Sequence, residues 1–120
     1  MTAPTTPTLD VEALRSASDP LAALFAVLTD DVEWIEVDQR TPPRTPSVHR
    51  GRADVEAVLR EAQAAGLVSQ VEDGFALGDR AALTVSCTYP DGRRVLCNAL
   101  ADLRDGNIAR WFGVQAWDDR

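Results

Sequence analysis

Residues 30–37, with the sequence Asp-Asp-Val-Glu-Trp-Ile-Glu-Val, are the stretch that decides the fold. Trp34 and Glu36 stand two positions apart in a segment that alternates as a β-strand does, so both side chains leave the same face of that strand. A carboxylate beside an indole on one face marks either the wall of a pocket or a solvated sheet edge. In the second case Glu36 pairs with Arg44 or Arg50 at the surface, a contact worth about 0–1 kcal/mol.

The remaining sequence divides into a helical first half and a strand-rich second half. Helix stops and starts such as Pro20 and Gly66 predict three helices, at 11–17, 21–28 and 53–65. A Pro-rich loop over 41–46 follows the first strand, because proline lacks a donor and restricts the residue before it. Three glycine-containing turns separate the later strands, so strands are predicted at 32–37, 67–77, 81–89, 93–104 and 107–117. Helices followed by a strand meander predict an α+β fold with helices on one face of a curved antiparallel sheet.

Composition sets the limits on size, location and partners. The chain has 120 residues, which suits one domain. We expect a disordered Thr/Pro-rich lead at residues 1–9 and a single domain at 10–120. A formal net charge of -7 argues against nucleic acid or an anionic membrane as a partner. No apolar run approaches the roughly 20 residues of a spanning helix, and no signal peptide is evident, so a cytoplasmic location is expected.

Cysteine and histidine usage argues against a bound metal. Cys87 and Cys97 are the two cysteines, and His49 is the one histidine. A Cys/His metal site cannot be assembled from this set. The sequence also lacks a glycine-rich phosphate loop, so we expect no cofactor. Both thiols have apolar neighbours, which favours buried packing over reactivity.

Several motifs together resemble the nuclear transport factor 2-like superfamily, and within it the SnoaL-like and ketosteroid isomerase-like branch. They are the paired aspartates before Trp34, the helix start Gly51-X-X-X-Val55, the hairpin at 103–108 (Leu-Arg-Asp-Gly-Asn-Ile) and the terminal Trp117-Asp118. The resemblance runs from about residue 10 onward. It implies a cone-shaped sheet with about three N-terminal helices packed on its concave side.

The resemblance also implies roles for single residues. Glu36 falls where ketosteroid isomerases place their general base, and Trp34 falls on a pocket-lining position. The match fails at the oxyanion hole, where that family uses a Tyr and a protonated Asp. The one tyrosine, Tyr89, lies in a sheet strand, and the Asp position falls on Ala99. Steroid isomerisation is therefore not expected.

His49 precedes the third helix, and the resemblance implies a place near the pocket rim. Because histidine is a common general acid or base in enzymes, His49 is a second catalytic candidate. The alternative is a surface loop residue.

The register of the sheet decides which other residues face the pocket. With a two-residue loop at Asp91-Gly92, the residue numbers of each directly opposed pair would add up to 183. With the concave face assigned by resemblance, the ligand-binding set beside Trp34 is then Ser86, Thr88, Cys97, Ala99, Trp111 and Gln115. Trp111 could equally be plain core. An odd loop length would swap the faces and move Leu83, Val85 and Cys87 into the core.

Two classes of function follow from these expectations. The first is a cofactor-independent acid–base enzyme, isomerase-, cyclase- or dehydratase-like, acting on a small cyclic or polyketide-like compound. The second is a non-catalytic ligand-binding or dimeric assembly module of the same fold. Under the two-residue loop an apolar row lies on the convex side and predicts a homodimer through the sheet, and this row is Leu83, Val85, Leu96 and Leu100. The expected ligand is a small hydrophobic or aromatic molecule.

Overall fold

Three helices and six strands make up residues 8–118, the part of the chain that this computed structural model describes. In chain order they are α1 (Val11–Ser16), α2 (Pro20–Phe25), β1 (Leu28–Val37), β2 (Ser47–Arg50), α3 (Arg52–Ala64), β3 (Val68–Leu77), β4 (Arg80–Thr88), β5 (Arg94–Arg104) and β6 (Asn107–Trp117). The strands form one curved sheet, which confirms the predicted α+β class.

Helix ends follow the capping signals in the sequence. The side chain of Asp10 accepts a hydrogen bond from the Ala13 amide at 3.0 Å, and that of Asp19 accepts one from the Ala22 amide at 3.1 Å. These two contacts satisfy amides that the first turns of α1 and α2 leave free. The second helix ends at Phe25, three residues before the predicted end, because Leu28 already pairs with Ile108 as the first residue of β1.

The sheet has the order β2-β1-β6-β5-β4-β3. It departs from the predicted antiparallel arrangement at one place, since β1 runs parallel to β6. The edge strand β2 was not predicted. It directly follows the Pro-rich loop, and its four residues pair antiparallel with β1, where His49 lies opposite Trp34.

The hydrophobic core lies between the helices and the concave face of the sheet. Leu14 of α1, Phe25 of α2 and Val55 of α3 are buried against Val32 and Ile108 of the sheet. The predicted packing of helices on the concave side is thereby confirmed. Residues 1–7 of the expected disordered lead lie outside the described residues. Leu9, the last residue of that lead, is buried in the core at 3% exposure.

The predicted register of β4 and β5 is wrong by one residue. Tyr89 and Arg93 close the hairpin, so its loop holds the three residues Pro90, Asp91 and Gly92. Proline cannot supply the ladder hydrogen bond, and Gly92 takes the left-handed conformation at φ 90°, as the last residue of a three-residue hairpin loop commonly does.

A one-residue shift turns every side chain of a strand to the opposite face. In this hairpin the residue numbers of directly opposed pairs add up to 182, as in the pairs Val85 with Cys97 and Leu83 with Ala99. The alternative that the sequence left open is therefore the observed one. Leu83 is 3% exposed in the core, while Leu96 and Leu100 are 47% and 54% exposed on the outer face.

Candidate functional site

A pair of tryptophans forms the floor of a pocket on the concave face. Trp34 of β1 and Trp111 of β6 are directly opposed across the parallel pair. Their rings stack at a centroid distance of 4.3 Å with an angle of 3° between the planes. Both residues are buried, at 4% and 3% exposure. The two indoles are therefore part of the core and also line the pocket. Both expectations for Trp111, as a core residue and as a pocket residue, hold.

Small residues occupy the middle of the neighbouring strand beside this floor. Three of the five buried inward positions of β5 are Cys97, Ala99 and Ala101. Ala101 lies opposite Trp111, and Ala99 lies opposite Gly113. Of these three, Cys97 lines the pocket, a hollow beside the two rings, while Ala99 and Ala101 pack in the core.

Glu36 places its carboxylate in this hollow. The Trp111 indole Nε1–H donates to Glu36 Oε1 at 3.0 Å, and the Cys97 thiol donates to Oε2 at 3.6 Å. Within residues 8–118 no arginine pairs with Glu36, because Arg50 and Arg110 both contact Glu33 on the other face of β1. The surface ion pair considered for Glu36 is therefore not formed.

The third tryptophan, Trp117, sets the orientation of Gln115. The Trp117 indole Nε1–H donates to Gln115 Oε1 at 3.0 Å. An indole nitrogen can only donate, so the amide oxygen of Gln115 must face Trp117. The amide nitrogen is then the group available to Glu36, and a hydrogen bond from Gln115 does favour the ionised carboxylate.

Burial raises the pKa of Glu36 above its ordinary value. Removing a carboxylate from water disfavours its charged form. Hydrogen bonds from Gln115, Trp111, Cys97 and Trp34 act in the opposite direction, without cancelling the effect of burial. The donors keep the carboxylate a hydrogen-bond acceptor, while burial raises its pKa, and a carboxylate with a raised pKa suits the role of a proton acceptor.

The two thiols lie on the same concave face. The two-residue loop had placed them on opposite faces, which is wrong for the same reason as the register. Cys97 and Cys87 are free cysteines. Burial raises the pKa of both thiols, and the negative charge of Glu36 raises it further. Neutral thiols are poor nucleophiles, so packing and side-chain contacts account for them, with Glu36 for Cys97 and Ser69 for Cys87.

The pocket has a volume of about 140 Å³ and mostly apolar walls. Its polar groups are the Glu36 carboxylate, the Gln115 and Gln70 amides, the Ser69 hydroxyl and the two thiols. Side chains from all three helices and five of the six strands close it, and these include Leu14, Leu21, Leu24, Leu59, Val71, Leu83, Val85 and Val95. A hollow of this type, apolar with a few convergent polar groups, is typical of small-molecule sites.

The structure separates the sequence-predicted site residues into two groups. Trp34, Glu36, Cys97, Trp111 and Gln115 come together around the pocket. The remaining four do not line it, and they are His49, Ser86, Thr88 and Ala99.

Three of these four residues are kept out of the pocket wall by the strand register or by close packing in the core. Ser86 turns to the outer face, where its hydroxyl donates to Glu72, and Thr88 is exposed on the same face. Their assignment to the pocket is wrong because the loop has three residues. Ala99 does face inward, but it is buried in the core at 5% exposure.

His49 lies on the edge strand β2, outside the pocket. Its Nδ1 is 3.3 Å from Asp54 Oδ2, and its Nε2 is 3.4 Å from Ser47 Oγ. The imidazole is 29% exposed and has no contact with the Glu36 carboxylate. Leu83, Val85 and Cys87 line the pocket instead of Ser86 and Thr88, which the register predicted from the sequence had placed there.

The described residues offer neither a metal-binding cluster nor a membrane-spanning helix. Across residues 8–118, no group of three His, Cys, Asp or Glu side chains is arranged to hold a metal ion. The helices of that part of the chain are all too short or too polar to cross a membrane.

Comparison with solved structures supports the fold. A proposed ketosteroid isomerase from Kribbella flavida DSM 17836 superposes with a TM-score of 0.65 at 23% identity, covering 92% of this chain and 73% of the other. A nuclear transport factor 2-like protein of unknown function from Mesorhizobium loti gives 0.64 at 25% identity, with 81% and 78% covered. A proposed isomerase from Rhodopseudomonas palustris gives 0.58 at 20% identity, with 88% and 82% covered.

Comparison at the level of sequence is more specific about the family. No curated protein matches the chain. The model of the SnoaL-like domain matches residues 11–111, which is most of the chain. That span contains β1 with Trp34 and Glu36, the three helices and the whole of β5. The chain therefore belongs to the SnoaL-like domain family.

Proposed function

We propose that this protein carries out acid–base chemistry on a small cyclic or polyketide-like compound, with Glu36 as the base. The observation that carries the proposal is a carboxylate in an apolar hollow, held by hydrogen-bond donors and with a raised pKa. A base of this kind can accept a proton near neutral pH and return it to another atom of the same substrate. The reaction class is isomerase-, cyclase- or dehydratase-like and needs no cofactor.

The substrate would lie above the stacked indoles with its acidic proton directed at Glu36. Removal of that proton places negative charge on a substrate oxygen. The second N–H of the Gln115 amide and the hydroxyl of Ser69 line the same pocket and can donate to that oxygen. These two groups replace Ser86 and Thr88, which were the donors expected from the sequence. Apolar walls exclude water and strengthen each of these hydrogen bonds.

Solvent-exchange measurements test the base role before the natural substrate is known. Cyclohexanone is incubated with the protein in D₂O, and loss of its α-proton signals is followed by NMR. We expect catalysed exchange in the natural protein and a rate about 10²–10⁴-fold lower in Glu36→Gln.

The matched control is Glu33→Gln, which alters a carboxylate on the same strand that pairs with Arg50 and Arg110 outside the pocket. Exchange in this control should equal that of the natural protein. Equal exchange in Glu36→Gln and the natural protein would overturn the base role and favour the non-catalytic binding module.

We also propose that the protein forms a homodimer through its outer sheet face, defined here by Phe75, Leu96, Leu100 and Val114. These side chains are between 47% and 67% exposed, and Phe75, Leu100 and Val114 line a groove of about 380 Å³. Contiguous apolar surface of this kind is unusual on a monomer and suits a second copy of the same sheet. The corrected register removes Leu83 and Val85 from the expected row and adds Phe75 and Val114.

A further inference from the structure

We propose that the ligand of the Glu36 pocket is elongated, with a compact head at Glu36 and an unbranched apolar tail that leaves between α2 and α3. The head position rests on the proposed function. The tail position rests on a second cavity that no part of the acid–base chemistry uses. The chemical class is therefore a ring or other compact polar group that carries an alkyl-like chain.

The second cavity has a volume of about 230 Å³ and lies between α2, α3 and the start of β3. It shares part of its wall with the Glu36 pocket, and the shared residues are Pro20, Leu21, Leu59, Leu67 and Ser69. Five common wall residues make the two hollows neighbours, and in the proposed complex they form the two compartments of one channel. A ligand too long for the inner compartment would then extend past these side chains into the outer one.

The chemistry of the wall changes along this channel. Its inner end holds the Glu36 carboxylate and the Gln115 amide. Leu21 and Leu59 line the shared middle part, and the outer end reaches Gln63 and Val68, which are both exposed. A mainly apolar middle, whose one polar residue is Ser69, lies between a polar inner end and an exposed outer end. It fits a chain of methylene groups, because each buried methylene gains free energy without needing a hydrogen-bond partner.

The outer compartment is bounded by a turn of fixed geometry. After α3 the chain reverses at Gly66, which has a φ of 98°. The Gly66 amide donates to the Gln63 carbonyl at 2.9 Å, and the Leu67 amide donates to the Ala62 carbonyl at 3.1 Å. The ring of Pro90 packs so closely on Gly66 that a methyl group there would overlap it. These contacts hold Leu67 in the wall, so the compartment is preformed.

A series of 4-alkylphenols tests the tail. The probes are 4-ethylphenol, 4-butylphenol and 4-hexylphenol, and Kd is measured for each by NMR titration of the tryptophan indole N–H signals. We expect Kd to fall by up to about fourfold for each added methylene group in the natural protein. A Kd that does not depend on chain length would overturn the proposal.

Filling the outer compartment shows where the chain lies. Ala62 lines this compartment but not the Glu36 pocket, so Ala62→Phe should flatten the dependence on chain length and leave 4-ethylphenol binding unchanged. Ala62→Leu is a smaller filling variant for use if the phenylalanine does not fold. Ala57→Phe is the matched control, because Ala57 is exposed on the same helix and lines neither hollow. If Kd depends on alkyl-chain length in both Ala62 variants as it does in the natural protein, the alkyl chain lies elsewhere and the proposal is overturned.

The experiments test the head position and the tail position of the ligand independently. Glu36→Gln should weaken binding of all three phenols by a similar factor while the dependence on chain length persists. If Glu36→Gln changes no Kd, the head position and with it the proposed function are overturned. If the dependence on chain length is absent while Glu36→Gln still weakens binding, the tail alone is overturned.

Discussion

Gly113 of β6 lies directly opposite Glu36 of β1, and its missing side chain is the space that the Glu36 carboxylate occupies. A Cβ atom at position 113 would overlap Glu36 Oε2 and would lie 2.9 Å from the Sγ of Cys97. Gly113 is buried, and its backbone does not have the positive φ that demands glycine. The requirement for glycine here is therefore steric and comes from the carboxylate.

We expect Gly113→Ala to push the Glu36 side chain out of its hydrogen bond with Trp111. Overpacking of this kind costs about 1–3 kcal/mol of unfolding free energy. Chemical denaturation of Gly113→Ala, Glu36→Ala and the double variant measures the coupling between the two positions. The alanine at 113 should be tolerated much better when Glu36 is already shortened, although the contact with Cys97 remains. Additive costs would mean that the carboxylate does not occupy the space of the missing side chain.

The raised pKa of Glu36 makes a signed prediction about stability. Its folded-state pKa lies above the ordinary value of 4.5, so the folded protein binds this proton more tightly than the unfolded chain. The stabilising effect of the proton is complete below about pH 4.5 and is lost as the pH rises through the folded-state pKa. At neutral pH the buried charge therefore destabilises the fold.

Glu36→Gln should accordingly raise the melting temperature at pH 7–8, and the difference from the natural protein should shrink as the pH falls toward 4. Circular dichroism melts across this range measure it. Glu33→Gln serves as the control, because Glu33 forms exposed ion pairs and its removal should not produce this rise. A melting temperature of Glu36→Gln that is equal to or below that of the natural protein at pH 8 would contradict a desolvated carboxylate.

Local signals predicted the helices and most strands, because caps, stops and glycine turns act within a few residues. The same signals could not supply the parallel pairing of β1 with β6, which joins distant parts of the chain through backbone groups. Glu36 and Trp34 were found because a period of two fixes their common face. Ser86 and Thr88 were predicted on the wrong face because Pro90 belongs to the hairpin loop. One extra loop residue turns the side chains of the strand to the other face of the sheet.

The outer sheet face predicts a dimer in solution. Sedimentation at micromolar concentration should give twice the mass of the chain, and Leu100→Glu should shift it to the monomer, since a charge would be buried without a partner. Ala57→Glu places the same charge on the exposed side of α3 and should leave the dimer intact. Leu83→Glu is not a suitable test, because Leu83 is core and its loss would unfold the monomer. A natural protein that sediments as a monomer at all accessible concentrations would exclude this interface.

Trp117 donates to Gln115, and a hydrogen bond from Gln115 lowers the pKa of Glu36, so we expect Trp117 to affect this pKa through Gln115. Trp117→Phe keeps an aromatic ring against Tyr89, whose centroid is 5.4 Å from that of Trp117, but removes the N–H that fixes the Gln115 amide. The amide can then rotate, and its hydrogen bond to Glu36 weakens. Because that bond favours the ionised form, the pKa of Glu36 should rise further in the variant.

Carbon NMR of the side-chain carboxyl, assigned with Glu36→Gln, follows this titration directly. Tyr89→Phe is the matched control, because it keeps a ring beside Trp117 and leaves the indole donor in place. A titration of Glu36 that is the same in Trp117→Phe and in the natural protein would mean that Gln115 holds its orientation without the indole. A parallel shift in Gln115→Leu, which deletes the amide, would locate the effect in the hydrogen bond between Gln115 and Glu36 and not in the packing of the ring.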